Sequence, residues 1–278
     1  MAAVLLTKSF SYIFNSDPAS GSQNLSTDQS TFQVSLNDPI RIPAGAVDCK
    51  AGVIQAFIWN TAYNISEDFD NNKFKFTTSV APSGTYTITI PDGLYSVAGL
   101  ASLLSSSFVN LGLPAGLISL SGNTATQQSV ITFSTSGDSV DFTVAGSVAP
   151  VLGFDAVVIT APSAGYSFFS ENTAEFNRVN NFILASNIVS VGIPVNNQSQ
   201  GIIGSVPIDV PPGSQVSYSP QNVVWFSASE LIGQSKLNMQ FQLLDQDLRQ
   251  VSTPDYYSFT MQFNYDILIS SGTLALKP

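Results

Sequence analysis

Apolar and polar residues alternate with a period of two through most of this chain. Phe32, Val34 and Leu36 alternate with Gln33 and Ser35, Phe74 and Phe76 with Lys73 and Lys75, and Tyr86, Ile88 and Ile90 with threonines. Each pattern predicts a strand with one buried face, because successive side chains of an extended backbone point to opposite sides. The longest run lies near the end. Phe259, Met261, Phe263, Tyr265, Ile267 and Ile269 share one face, and Ser258, Thr260, Gln262, Asn264 and Asp266 the other, so this strand should be central to its sheet. Just before it, Leu237, Met239, Phe241 and Leu243 predict a second alternating strand that pairs with it or faces it across the core.

Asn181 to Val191 and Gly52 to Trp59 are apolar at nearly every position, as expected of strands covered on both sides. Pro39, Pro43-Ala-Gly45, Pro82-Ser-Gly84, Pro91-Asp-Gly93 and Pro211-Pro-Gly213 punctuate the strands, and Asp245-Gln246-Asp247 reads as a turn whose carboxylates cap their own backbone. Many short strands broken in this way predict a β-sandwich or jelly roll. The polar stretch Ser16 to Ser30 reads as an arm or loop.

One stretch departs from the period of two. Val97, Leu100, Leu104, Phe108 and Leu111 recur at helical spacing, with Ser96 placed as N-cap and Gly112 and Pro114 as the stop. A hairpin is expected next, with Val130 to Thr135 and Val140 to Val144 joined through Ser136-Gly137-Asp138, and Val151-Leu152-Gly153-Phe154 follows. A helix and hairpin inside an otherwise β chain predict a small α+β insertion, placed at Thr77 to Asn177. The expected organisation is thus residues 1–76 as the first half of a β-sandwich, 77–177 as the insertion and 178–278 as the second half.

Composition narrows the function. The chain has 278 residues, of which only 10% are charged, against roughly a quarter in an average soluble domain. A surface so poor in charge is expected to be covered by neighbours, as in an oligomer or shell. Lys and Arg number 9 against 19 Asp and Glu, with no basic run, which argues against direct nucleic-acid binding. Met1 to Phe10 holds only a five-residue apolar stretch, too short for a secretory leader, and no segment has the ~18 apolar residues of a membrane span, so synthesis in a cytoplasm is expected.

Candidate chemistry is sparse. Without histidine the commonest general base and the usual zinc sites are missing, and no Gly-rich phosphate loop occurs. The acidic clusters Glu67-Asp68-Phe69-Asp70-Asn71 and Asp245-Gln-Asp247 lack the closing Glu of a calcium loop and read as solvated turns, with a metal or glycan contact as the alternative. Cys49, in an apolar strand, reads as an inert core thiol, and Gly201-Ile-Ile-Gly204 as a closely packed strand or bend. Trp59 and Trp225 lie in apolar runs and are read as core or interface residues rather than sugar platforms. The sequons at Asn24, Asn64 and Asn197 are expected from an Asn- and Ser-rich chain without glycosylation. No catalytic, cofactor-binding or metal-ligating residue is assigned.

Several segments, taken in order, resemble the penton or minor capsid proteins of virophages and polinton-like viruses, within the double-jelly-roll virus lineage. They are Asn37-Asp-Pro-Ile40-Arg-Ile-Pro43, Val53 to Ser66 with Trp59-Asn60 and Tyr63-Asn64, and Asn71 to Phe76. Ile90-Pro-Asp-Gly-Leu-Tyr95-Ser, the helix and Leu152-Gly153-Phe154 are similar to that family's small upper domain, and Asn181 to Ser190, Ile202 to Ile208 and Asp245 to Arg249 complete the likeness over nearly the whole chain.

The resemblance implies a single jelly roll whose halves flank the insertion, with no enzymatic activity and no cofactor. It implies a homopentamer at the icosahedral capsid vertices, made in the host cytoplasm or virus factory, with major capsid protein capsomers as neighbours. A host receptor or spike would meet the insertion, and Ser16 to Ser30 or Ser270 to Pro278 would reach adjacent capsomers. Two alternatives stand beside it: a double-jelly-roll major capsid protein forming trimers, and a carbohydrate-binding attachment protein.

Overall fold

The computed structural model describes residues 3–26, 29–176, 178–189, 194, 195, 198, 199 and 201–270. The chain divides into two compact units, one of residues 1–62 and 179–278, the other of residues 63–178. In chain order the first unit begins with β1 (Ala3–Asn15), β2 (Ser22–Asn24), β3 (Thr31–Arg41) and β4 (Ala46–Trp59). The second holds β5 (Lys73–Thr78), β6 (Gly84–Thr89), α1 (Val97–Asn110), β7 (Ile118–Asn123), β8 (Gln128–Phe133), β9 (Ser139–Asp141), α2 (Ala149–Leu152), β10 (Val158–Thr160) and β11 (Ser167–Phe169). The first unit resumes with β12 (Asn181–Ser186), β13 (Pro194–Val195), β14 (Gln198–Ser199), β15 (Ile202–Pro207), β16 (Gln215–Tyr218), β17 (Phe226–Ser227), β18 (Ser235–Leu244) and β19 (Ser258–Ser270).

The first unit is a single jelly roll. One sheet runs β1-β19-β4-β16, with β17 also on β4, and the other runs β15-β12-β18-β3-β2. All of these ladders are antiparallel. Following β1, β3, β4, β12, β15, β16, β18 and β19 along the chain, the path crosses between sheets as two nested Greek keys require.

Aromatic rings fill the space between the sheets. Phe14 and Phe259 from one sheet meet Phe241 from the other, with ring centroids 4.6 and 4.9 Å apart, and Phe32 lies 5.2 Å from Phe241. The strands β18 and β19 therefore face each other across the core. As expected, β19 is central, laddered to β1 on one side and β4 on the other.

β12 is buried on both faces. Phe182 and Leu184 enter the main core, while Ile183 and Ala185 pack with Ile202 and Leu244 in a small outer cluster that Leu248 covers. The turn carrying Leu248 is held as the sequence suggests, with one carboxylate oxygen of Asp245 accepting the N–H groups of Asp247 and Arg249 at 2.9 Å each. On β4, Gly52 is required by close approach: a Cβ there would stand 2.7 Å from Val223 Cγ1 and 2.8 Å from the Val224 carbonyl.

The second unit has two small sheets, β10-β9-β5-β6 and β11-β8-β7, around its own core. Phe76 meets Phe108 of α1 edge-on at 5.0 Å, and Phe142 stacks on Phe154 at 5.0 Å. α1 starts as expected, with the Ser96 hydroxyl accepting the Gly99 N–H at 3.1 Å. Gly153 ends α2 at a positive φ of 79°, where a Cβ would collide with the Asn172 carbonyl.

Four local expectations are corrected. The hairpin between Val130 and Val144 does not form, because β8 ladders with β7 and β11 while β9 ladders with β5 and β10. Ser136 to Asp138 instead carries the chain between sheets, with Asp138 fully buried. The unit's first boundary falls at Tyr63 rather than 77, because β5 pairs with β6 and β9 and its phenylalanines fill that unit's core; the other expected boundary, residue 177, lies outside the described residues. Ser16 to Ser30 is no free arm where it is described: Ser16 is buried and exchanges hydrogen bonds with the Tyr257 backbone, and β2 ladders with β3. Leu237, expected in the core, is exposed because the β18 ladder is interrupted between Lys236 and Asn238. Residues 271–278 of the expected tail and the Asn197 sequon lie outside the described residues.

Candidate functional site

The residues singled out for chemistry are held in structural roles. Cys49 is buried in the jelly-roll core, and burial, with a contribution from the Asp48 carboxylate, pushes its thiol pKa up to about 11. In the acidic run at 67–71, the Asn71 carboxamide accepts from the Ser66 N–H and donates to the Asn64 carbonyl, both at 2.9 Å. The Arg178 guanidinium lies 4.1 Å over the Phe69 ring. Among the described residues no three His, Cys, Asp or Glu side chains converge as a metal site would require. Trp225 lies against the Gly52 position, whereas Trp59 keeps more than a third of its surface exposed.

Asn64 and Asp138 have roles the sequence does not show. Asn64 is buried; its amide donates to the carbonyls of Tyr95 at 2.7 Å and Phe176 at 2.9 Å, and its oxygen accepts from the Tyr95 N–H at 2.8 Å. Every polar atom of the side chain is thereby used, so this sequon asparagine is closed to modification. The Asp138 carboxylate accepts from Thr78 Oγ1 and the Ser79 N–H at 3.0 Å and from Ser79 Oγ at 3.2 Å.

The surface that lacks an explanation inside the monomer is the ribbon of β1 and β19. Their ladder runs from Ala3 opposite Ser270 to Asn15 opposite Ser258, whereas β4 accompanies β19 only as far as Ile267 opposite Ala46. Beyond that point the two strands continue without a third among the described residues. The face that carries Phe14, Phe259 and Phe263 into the core continues as Leu6, Ile267, Val4 and Ile269, while Leu5 and Leu268 pair on the opposite face. Leu5 and Leu268 are each 53% exposed, and Ile13, also on the outer face, is 77% exposed.

Apolar residues on both faces of a ribbon cannot all be buried by one sandwich. Covering one more side chain of this kind is worth about 1.5–3 kcal/mol when complete, and about half of that remains available here. β1 is also an edge strand, laddered only to β19 among the described residues, so a row of its N–H and C=O groups faces outward. The other edge of the same sheet is formed by β16 and β17, with the exposed Val224 two residues before β17. The sheet thus offers two unlike flanks.

A signal for the ribbon was present in the sequence. Val4-Leu5-Leu6 breaks the alternation by placing apolar residues at consecutive positions, which puts them on both faces of a strand. Judged only as a short leader segment, it gave no hint of this.

No family model matches the chain, and no curated protein matches it. Among solved structures it is similar to the crystal structure of the mavirus penton protein, with 8% sequence identity and a TM-score of 0.49 over 94% of this chain and 100% of that one. Among the described residues, no helix is long and apolar enough to cross a membrane.

Proposed function

We propose that the chain is a structural protein of an icosahedral virus shell, assembling as a homopentamer at the capsid vertices with major capsid protein capsomers around it. The observation that carries this reading is the jelly roll with two unlike sheet edges, one of them the apolar β1–β19 ribbon. A ring closes when one patch of a subunit meets a different patch of the next, so two distinct sticky flanks are what it needs. A two-fold dimer would need one self-complementary patch instead.

The family resemblance of the sequence supplies the number five and the vertex. The low charge density supports buried flanks, since unpaired ions would be costly to desolvate there. Weighing against a double-jelly-roll trimer, the second unit has sheets of four and three strands with a helix, not a second eight-stranded roll.

Light scattering and negative-stain imaging of the purified chain test the reading. Five-fold rings are expected, and replacing Leu5 and Leu268 by serine should leave monomers. Stable trimers with a pseudo-hexagonal outline would overturn it.

A further inference from the structure

The second unit carries a cleft of about 370 Å³ between the start of α1, the β7–β8 turn and the segment 174–176. That volume lies within the range of small-molecule sites. Val97, Gly122, Ala174 and Phe176 provide apolar wall, and the remaining lining is uncharged and polar except for Glu175.

The polar groups are partly spent and partly free. Gln127 Nε2 donates to the Thr124 carbonyl at 2.8 Å and Gln128 Nε2 to the Ser170 carbonyl at 2.7 Å, which orients both amides and leaves each Oε1, and the second hydrogen of each Nε2, without a partner among the described residues. Asn123 Oδ1 accepts from the Ala125 N–H at 3.0 Å, leaving its Nδ2 as a donor. Among the described residues the exposed Glu175 side chain has no hydrogen-bond or ion-pair partner, while its backbone N–H is fixed on the Val151 carbonyl at 2.9 Å. Unspent donors and acceptors therefore line the cleft together, no cation lines it, and Phe176 forms part of its wall.

We infer that this cleft binds a neutral saccharide. Sugar hydroxyls each bring a donor, and vicinal pairs fit a carboxylate or a set of amide oxygens, while the C–H face of a pyranose suits an aromatic and small-residue wall. Two amides already held by the backbone lower the entropy lost when the ligand is bound. Acidic sugars and phosphates are disfavoured, because Glu175 would repel them with no cation to compensate. A cationic amine would satisfy the carboxylate but leave the amide oxygens and the Asn123 donor unused, so the saccharide fits the whole set better. The inference concerns this unit alone and holds whether or not the chain assembles into rings.

The test is saturation-transfer NMR on the full chain with methyl glycosides of glucose, galactose, mannose and N-acetylglucosamine, with methylamine and sialic acid in parallel. At least one neutral glycoside should bind. Glu175→Ala should weaken it about tenfold, the value of a hydrogen bond to a charged group. Gly122→Leu should abolish binding by filling the cleft; the nearest atom a Cβ there meets is Val97 Cγ2, at 3.6 Å, an ordinary contact, so the strand has room for it. Unchanged circular dichroism and melting would show that both variants fold, and Thr124→Val provides a third if Gly122→Leu does not. Binding of methylamine or sialic acid alone, binding of no neutral glycoside, or binding that none of the folded variants weakens would overturn the inference.

Discussion

The two units reach a buried core by different routes. In the jelly roll, long strands present one apolar face each, and Phe14, Phe32, Phe241 and Phe259 close the gap between sheets. Burial of apolar area sets the two sheets face to face, buried polar groups such as Asp245 and Ser16 fix single turns, and apolar surface is left over along β1 and β19. In the second unit the strands are short and the connections long, so buried polar side chains tie the loops: Asp138 to Thr78 and Ser79, and Asn64 to Tyr95 and Phe176. Short strands satisfy few backbone groups through ladders, and the remaining donors must find side-chain acceptors. A unit built this way is specific at its loops, whereas the roll is tolerant at its faces and adhesive at its edge.

The sharpest test of the contrast is deletion of a roll aromatic. Phe241→Ala removes the ring that contacts Phe14, Phe32 and Phe259 and is expected to cost about 3–5 kcal/mol in denaturant unfolding. Cys49 reports the event in the same unit. With its pKa near 11 and no exposure, it should resist disulfide reagents at neutral pH in the wild type and react in Phe241→Ala at far lower denaturant.

Asp138→Ala probes the other route. It leaves the Ser79 N–H and two hydroxyls without their acceptor and should destabilise the second unit by about 3 kcal/mol. Hydrogen exchange should show the loss in β5 and β9, and protection there equal to wild type would mean that the polar ties do not hold this unit together.

Leu5→Ser with Leu268→Ser asks whether the ribbon is spare. These positions pair across the strands and are half exposed, so the monomer should lose only about 1 kcal/mol each, the share already buried. Losses near 2 kcal/mol each would place them in the fold's own core.

The smallest effect is confined to acid. Hydrogen bonds from Thr143 and Lys75 lower the Asp141 carboxyl pKa from 3.8 to about 2. A depressed carboxylate stabilises the fold above its unfolded pKa and loses that contribution as pH falls toward the folded one. Asp141→Asn should therefore flatten the stability profile between about pH 4 and pH 2 and leave its shape near neutrality unchanged, as a pH series of melts would show.

Much of this was legible in the sequence, at particular residues. The alternation over 258–269 identified β19 and its buried face, Ser96 and the apolar spacing after it identified α1, and Asp245 announced its own turn. These features are local: a strand's period, a cap or a turn is fixed by residues within a few positions of one another. What β8 and β9 pair with, how far β4 accompanies β19, and where Asp138 finds its donors depend on chain segments tens of residues away. Val4-Leu5-Leu6 shows the limit plainly. The sequence determined that both faces there are apolar; only the tertiary structure, by ending β4 at Ala46, decided that both would stay half exposed among the described residues.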